Sequence, residues 1–140
     1  MQNSKNEDAL KEVENTIEEA LKGDLLAYQR RIASMASLGV QHAIELYLHK
    51  LHIMKPGASL KHEWFKLNEK NIKLRLSAII TKKIEEIPQI FEILSIAREI
   101  EKDRNELIYG APLKDDKMLR DKIDNFLEIK KLIMEGEENE

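Results

Sequence analysis

The chain has no cysteine among its 140 residues. That removes disulfide scaffolds, cysteine-ligated zinc, iron–sulfur clusters and thiol nucleophiles together, and it suits a reducing, cytoplasmic setting. Glycine, with 5 residues, and proline, with 3, are scarce. Few turn formers in a chain rich in Leu, Ile, Lys and Glu mean long helices and few connections. Long apolar runs are also missing, so the sequence offers no membrane helix and no signal-peptide core. Excess positive charge is absent: the net charge of −3 excludes a globally basic nucleic-acid binder but leaves room for a local patch. There is no Gly-rich phosphate loop, no Gly-x-Ser-x-Gly elbow and no Gly-Lys-Ser/Thr motif. No cofactor is expected.

What remains is a chain of 42% hydrophobic residues, enough for one domain with a core that needs no covalent or metal staple. Residues 1–7 read as a disordered polar start, 8–134 as a single helical domain, and 135–140 as a disordered acidic tail. Leu10, Val13, Ile17, Ala20 and Leu21 form one helical stripe, and Gly23-Asp24 reads as a stop followed by an N-cap. A long helix is predicted from Leu25 to Met54, closed by Pro56-Gly57. Gly39 inside it weakens the helix by about 1 kcal/mol relative to alanine, and its expected reason is close approach of another helix. A third helical region spans residues 61–86, with ragged periodicity and a break near Asn68. A fourth starts at Pro88 and carries Phe91, Leu94, Ala97 and Ile108 on one inward stripe. The last spans residues 115–134, with Leu119, Ile123, Phe126, Leu127 and Ile133 inward. The fold class is therefore all-α: an antiparallel, up-and-down four-helix bundle with an extra N-terminal helix.

Three constellations have chemical potential. At 100° per residue, Glu101 and Arg104 fall on the stripe of Leu94, Ala97 and Ile108. Charges on a core-facing stripe are costly unless paired. Either the two pair with each other at i,i+3, or the arginine snorkels at the bundle's end, or its planar fork holds an anion. Secondly, the segment from Lys55 to Lys83 has eight basic and two acidic residues, a net of +6 that leaves −9 on the remainder. Such segregation suits either a solvated helix surface or a phosphate-attracting patch. Within it, Lys61, His62 and Lys66 surround Trp64, a packing anchor or a base-stacking platform. Thirdly, His42, Glu45, His49 and His52, spaced 3, 4 and 3 apart, share a helix face opposite Val40, Ala43, Tyr47 and Leu51. The choices there are a polar outer face, a packed contact with hydrogen-bonded histidines, or a divalent metal site; no metal is assigned.

In Gln41-His42-Ala43-Ile44-Glu45-Leu46-Tyr47-Leu48-His49-Lys50-Leu51, in the Gly57–His62 loop, and in Arg104-Asn105-Glu106-Leu107-Ile108-Tyr109-Gly110, the chain resembles the HEPN domain over roughly residues 25–134. The family consists of helical bundles common in prokaryotic toxin–antitoxin and defence systems. Its active members are metal-independent endoribonucleases with an Arg, a polar residue, and a His four to six positions after the Arg. Carried over, Arg104, Asn105 and Tyr109 take the catalytic positions, with Tyr109 where the family has its His. Tyrosine, with an ordinary pKa near 10, is a poor general base at neutral pH. The resemblance thus implies a cytoplasmic homodimer that binds RNA or a nucleotide through Arg104, Glu101, Lys61, His62 and Lys66. It is expected to be a degenerate ribonuclease or the partner of a minimal nucleotidyltransferase. The alternative is a non-enzymatic helical adaptor that makes protein contacts.

Overall fold

The computed structural model describes residues 2–138. It is all-α: α1 (Gln2–Lys22), α2 (Gln29–Lys50), α3 (Glu69–Ile79), α4 (Ile90–Lys102), α5 (Arg104–Tyr109) and α6 (Lys117–Glu138), joined by loops and 3-10 turns. Among the described residues there is no strand, only one isolated bridge between Met54 and Ile80. No helix among them is long and apolar enough to cross a membrane.

α2 is the axis of the fold, because α1, α4, α5 and α6 all pack on it. Its neighbours are set by small residues. A Cβ at Gly39 would lie 2.6 Å from the Phe126 ring of α6 and 3.0 Å from Val13 of α1. Gly39 is therefore where three helices converge, as its position inside a helix predicted. At the far end, Gly136 lets Tyr47 reach the Pro88 carbonyl with a 2.7 Å hydrogen bond. Positions 39 and 47 of α2 meet 126 and 136 of α6, so these two helices run parallel. α4 runs against both: Ser37 meets Glu101 near one end, and Tyr47 meets Pro88 near the other.

The helix limits differ from the sequence reading for local physical reasons. The polar start is helical from Gln2, and Asn6 is buried, within 2.7 Å of His42 Nδ1. Residues 135–138 likewise continue α6 instead of forming a disordered tail, while residues 139 and 140 lie outside the described residues. Asp24 caps a 3-10 turn, Leu25–Tyr28, through a 3.1 Å bond from Leu26 N–H. α2 ends four residues before Met54. His52 adopts φ 60°, with its own N–H on the His49 carbonyl and Ile53 N–H on the Leu48 carbonyl. That is a Schellman closure with histidine where glycine is the usual choice. The third region divides into a 3-10 turn, His62–Lys66, then α3, then a second turn, Ile84–Glu86. Asn68 makes the break by accepting the Asn71 N–H at 2.9 Å. Phe91 and Leu127, expected to face inward, are instead exposed.

The predicted fourth helix is interrupted at Asp103. Lys122 of α6, almost fully buried, donates to the Glu99 carbonyl and to Asp103 Oδ2 at 3.1 Å. The Glu99 carbonyl is the acceptor that Asp103 N–H would use in a continuous helix; Asp103 N–H bonds Glu101 O instead. A side chain inserted into the backbone ladder is a known cause of a helix break.

Candidate functional site

Glu101 sits in the last turn of α4, only 3% exposed. Of the readings open for it, the pair with Arg104 does not form: the break at Asp103 starts a new helix there, and Glu101 turns elsewhere. Ser37 Oγ of α2 donates to Oε2 at 2.6 Å, and His62 Nδ1 lies 3.0 Å from Oε1. His62 Nε2 is 3.2 Å from Glu63 Oε1 at the surface. A carboxylate taken out of water needs such partners, and here a hydroxyl and an imidazole supply them. His62 is delivered by the 3-10 turn, which buried Phe65 and half-buried Trp64 anchor against the core. Trp64 is thus packed in place of standing free.

Above this network lies a groove of about 470 Å³, with Lys66, Ser95, Arg98, Lys102 and Asn105 around it and Glu101 at its floor. Three of the residues singled out from sequence, Lys66, Glu101 and Asn105, therefore meet in one place, with His62 beneath. Arg104 is half-buried at the start of α5; its Nη1 is 3.4 Å from Asn105 Oδ1, and its Nε is buried without a partner. Tyr109 is 78% exposed. Five positions along a helix put it about 140° around α5 from Arg104, so the two do not converge within one chain. Lys61 is exposed and outside the groove.

Sequence reasoning missed Arg98, Ser95 and Lys102. The signal was present: Phe91, Ser95, Arg98 and Lys102 are spaced 4, 3 and 4 apart, one polar face of α4. Gln29 was also missed. It is buried, donates to the Leu107 carbonyl at 3.0 Å and accepts the Leu113 N–H at 2.8 Å, which ties α5 and the loop after it to α2. No spacing rule announces a contact made across nearly eighty residues.

The histidine stripe does not assemble. His52 has left the helix, and His42 is bound to Asn6. Glu45 is buried next to the backbone of Leu60, whose carbonyl accepts from Gln41 Nε2 at 2.8 Å. Burial raises the Glu45 carboxyl above its ordinary value, opposed by His49 and by the Leu60 backbone hydrogen bond. Burial lowers His42. Far from a polar outer face, this side of α2 is covered by α1 and the 58–62 loop. Among the described residues no three His, Cys, Asp or Glu side chains are grouped to hold a metal ion.

No protein-family model, no curated protein and no solved structure matches this chain.

Proposed function

We propose that the chain is a HEPN-like protein that binds RNA or a nucleotide at the groove between the His62–Lys66 turn, α4 and α5. The observation that carries this reading is the groove itself: Lys66, Arg98 and Lys102 on its walls enter no ion pair among the described residues. Phosphate is the ligand chemistry that unpaired guanidinium and ammonium groups around an amide side chain fit. Arg104 lies outside the residues that line the groove, one position before Asn105, and its buried Nε has no partner.

The N-terminal helix expected as an extra belongs to the four that pack together, α1, α2, α4 and α6, and the 61–86 region is the addition; the four alternate in direction along the chain, which supports an up-and-down bundle, although α2 and α6 lie side by side in parallel. Binding is favoured over cleavage, because Tyr109 stands away from Arg104 and is a weak base. Should the chain cleave RNA, Arg104, Asn105 and Tyr109 would act without a metal. A homodimer, a nucleotidyltransferase partner and a toxin–antitoxin setting belong to the same proposal. The adaptor reading draws on one observation: Leu127 and Met134 lie seven apart on α6 and are both exposed.

The test is binding of adenosine monophosphate and of RNA by wild type and Arg104→Ala, with the mass in solution measured on the same sample. Arg104→Ala is expected to lose binding while keeping its helical circular dichroism. Equal binding by the variant would refute the reading.

A further inference from the structure

The groove continues past Arg98 and Ser95, away from Asn105. Its wall residues Ser95 and Arg98 also line a small cavity of about 60 Å³, bounded by Ile72 of α3 and Leu94 of α4. Glu69 carries that space into a third, about 380 Å³, along Lys70, Lys73 and Ser77. The three spaces adjoin at these shared residues as an interrupted trough: its middle lies between α3 and α4, and its far end lies between α3 and the Ile84–Glu86 turn. Glu69 lies beside Arg98, and Lys73 lies over Phe91, so the two helices run antiparallel along it.

Both walls repeat. On α4 the face is Phe91, Ser95, Arg98 and Lys102; opposite are Lys70 and Lys73, three apart on α3, and Lys66 at the end of the preceding 3-10 turn. The four carboxylates of the trough are unequal. Glu101 is buried and held by Ser37 and His62, and Glu69 lies 3.5 Å from Lys73. Glu85 and Glu99 are left, against Lys66, Lys70, Arg98 and Lys102, none of which enters an ion pair among the described residues. At the α3 end, Phe91 is 40% exposed and Leu74 is 61% exposed. The flexible ammonium of Lys73 lies over the Phe91 ring, 4.5 Å from its centre.

We infer that this trough along α3 is a track for single-stranded nucleic acid, with phosphates along Lys66, Lys70, Arg98 and Lys102 and a base stacked on Phe91 at its rim, in place of the Lys73 ammonium. This rests on the RNA-binding reading above and extends its groove along the chain. A line of cations beside an exposed ring matches a strand that offers regular negative charge and flat apolar faces. A free phosphate has no use for Phe91, and a duplex keeps its bases inside.

The experiment is anisotropy of a labelled oligoadenylate of about twelve nucleotides, within the footprint of a small single-strand binder, at low and at physiological salt. The full chain is compared with Lys66→Glu/Arg98→Glu, with Phe91→Ala, and with Lys131→Glu on α6 as a control. Circular dichroism checks that each is folded. The double variant is expected to lose at least about tenfold in affinity and to flatten the log–log salt slope by about 1.4, the contribution of two phosphates on a single strand. Phe91→Ala is expected to lose about tenfold with the slope unchanged. Lys131→Glu should bind as wild type. Unchanged binding by the double variant, equal binding of a duplex or of polyglutamate, or no oligonucleotide binding at all would overturn the track. Adenosine monophosphate binding lost in both Arg104→Ala and the double variant, beside oligonucleotide binding no tighter than the mononucleotide's and unchanged in Phe91→Ala, would leave the groove standing and the track refuted. The reverse pattern would keep the track and remove the Arg104 reading.

Discussion

The bundle of α1, α2, α4 and α6 and the arm of residues 51–89 are built on different terms. In the bundle, α2 is surrounded by neighbours, and Val13, Ile44, Tyr47, Ile93 and Phe126 are fully enclosed. The arm holds one eleven-residue helix, two 3-10 turns and long connections. Nine of its apolar side chains, Leu60, Phe65, Ile72 and Leu76 among them, are buried in the common core, and two backbone bonds within it, Lys55 N–H to the Ile79 carbonyl and Thr81 N–H to the Ile53 carbonyl, close it on itself. The arm also carries the +6 segment, while the rest of the chain carries −9. On the proposed reading, the helical bundle holds the shape and the cationic arm brings Lys66 and Lys70 to a ligand in the seam between the two.

That division is open to attack by substitution. The largest effect is expected at Gly39. A branched side chain there must displace Phe126 and Val13 together, so Gly39→Val should cost about 3 kcal/mol of stability in a denaturant titration. Gln29→Leu leaves the Leu107 and Ala111 carbonyls and the Leu113 N–H unanswered. It should cost about 2 kcal/mol and speed hydrogen exchange in residues 107–113. His52→Gly should raise stability by about 0.5–1 kcal/mol, because glycine accepts the left-handed conformation without a Cβ clash.

Glu45→Gln is subtler and depends on pH. The folded protein holds the Glu45 proton more tightly than the unfolded chain does, because burial raises its pKa above 4.5. The ionised carboxylate therefore costs stability at neutral pH, and the cost disappears as pH falls below that ordinary value. The variant should melt slightly higher than wild type at neutral pH and converge with it in acid. The opposite sign holds for His42, whose pKa is lowered from 6.5, so wild type should lose some stability as pH falls through that value. Smallest of all on stability is Arg98→Glu, expected to stay within about 0.5 kcal/mol, as surface substitutions do.

The bundle was far more legible in the sequence than the arm. Val13, Ile17 and Ala20, or Leu119, Ile123 and Phe126, repeat with helical period because each buries one stripe, and Gly39 announced its close contact. The arm follows local chemistry: an Asn68 cap, a histidine in a glycine's conformation, and short turns whose periodicity is too brief to read. The helix break at Asp103 was hidden because its cause is Lys122, nineteen residues away in another helix. For the same reason none of the readings open for Glu101 and Arg104 named the partners that Glu101 takes, Ser37 and His62, which come from two other elements. Periodicity reports which face a residue is on. It does not report which partner a distant element will bring.

The most direct test of the division measures two quantities on the same variants: unfolding free energy by denaturant titration, and affinity for a single-stranded oligonucleotide by anisotropy. Lys66→Glu/Arg98→Glu should keep wild-type stability and lose binding. Gly39→Val should lose stability and, in its folded fraction, keep binding. Binding that survives the double charge reversal, or that falls only in step with stability across both variants, would contradict the account.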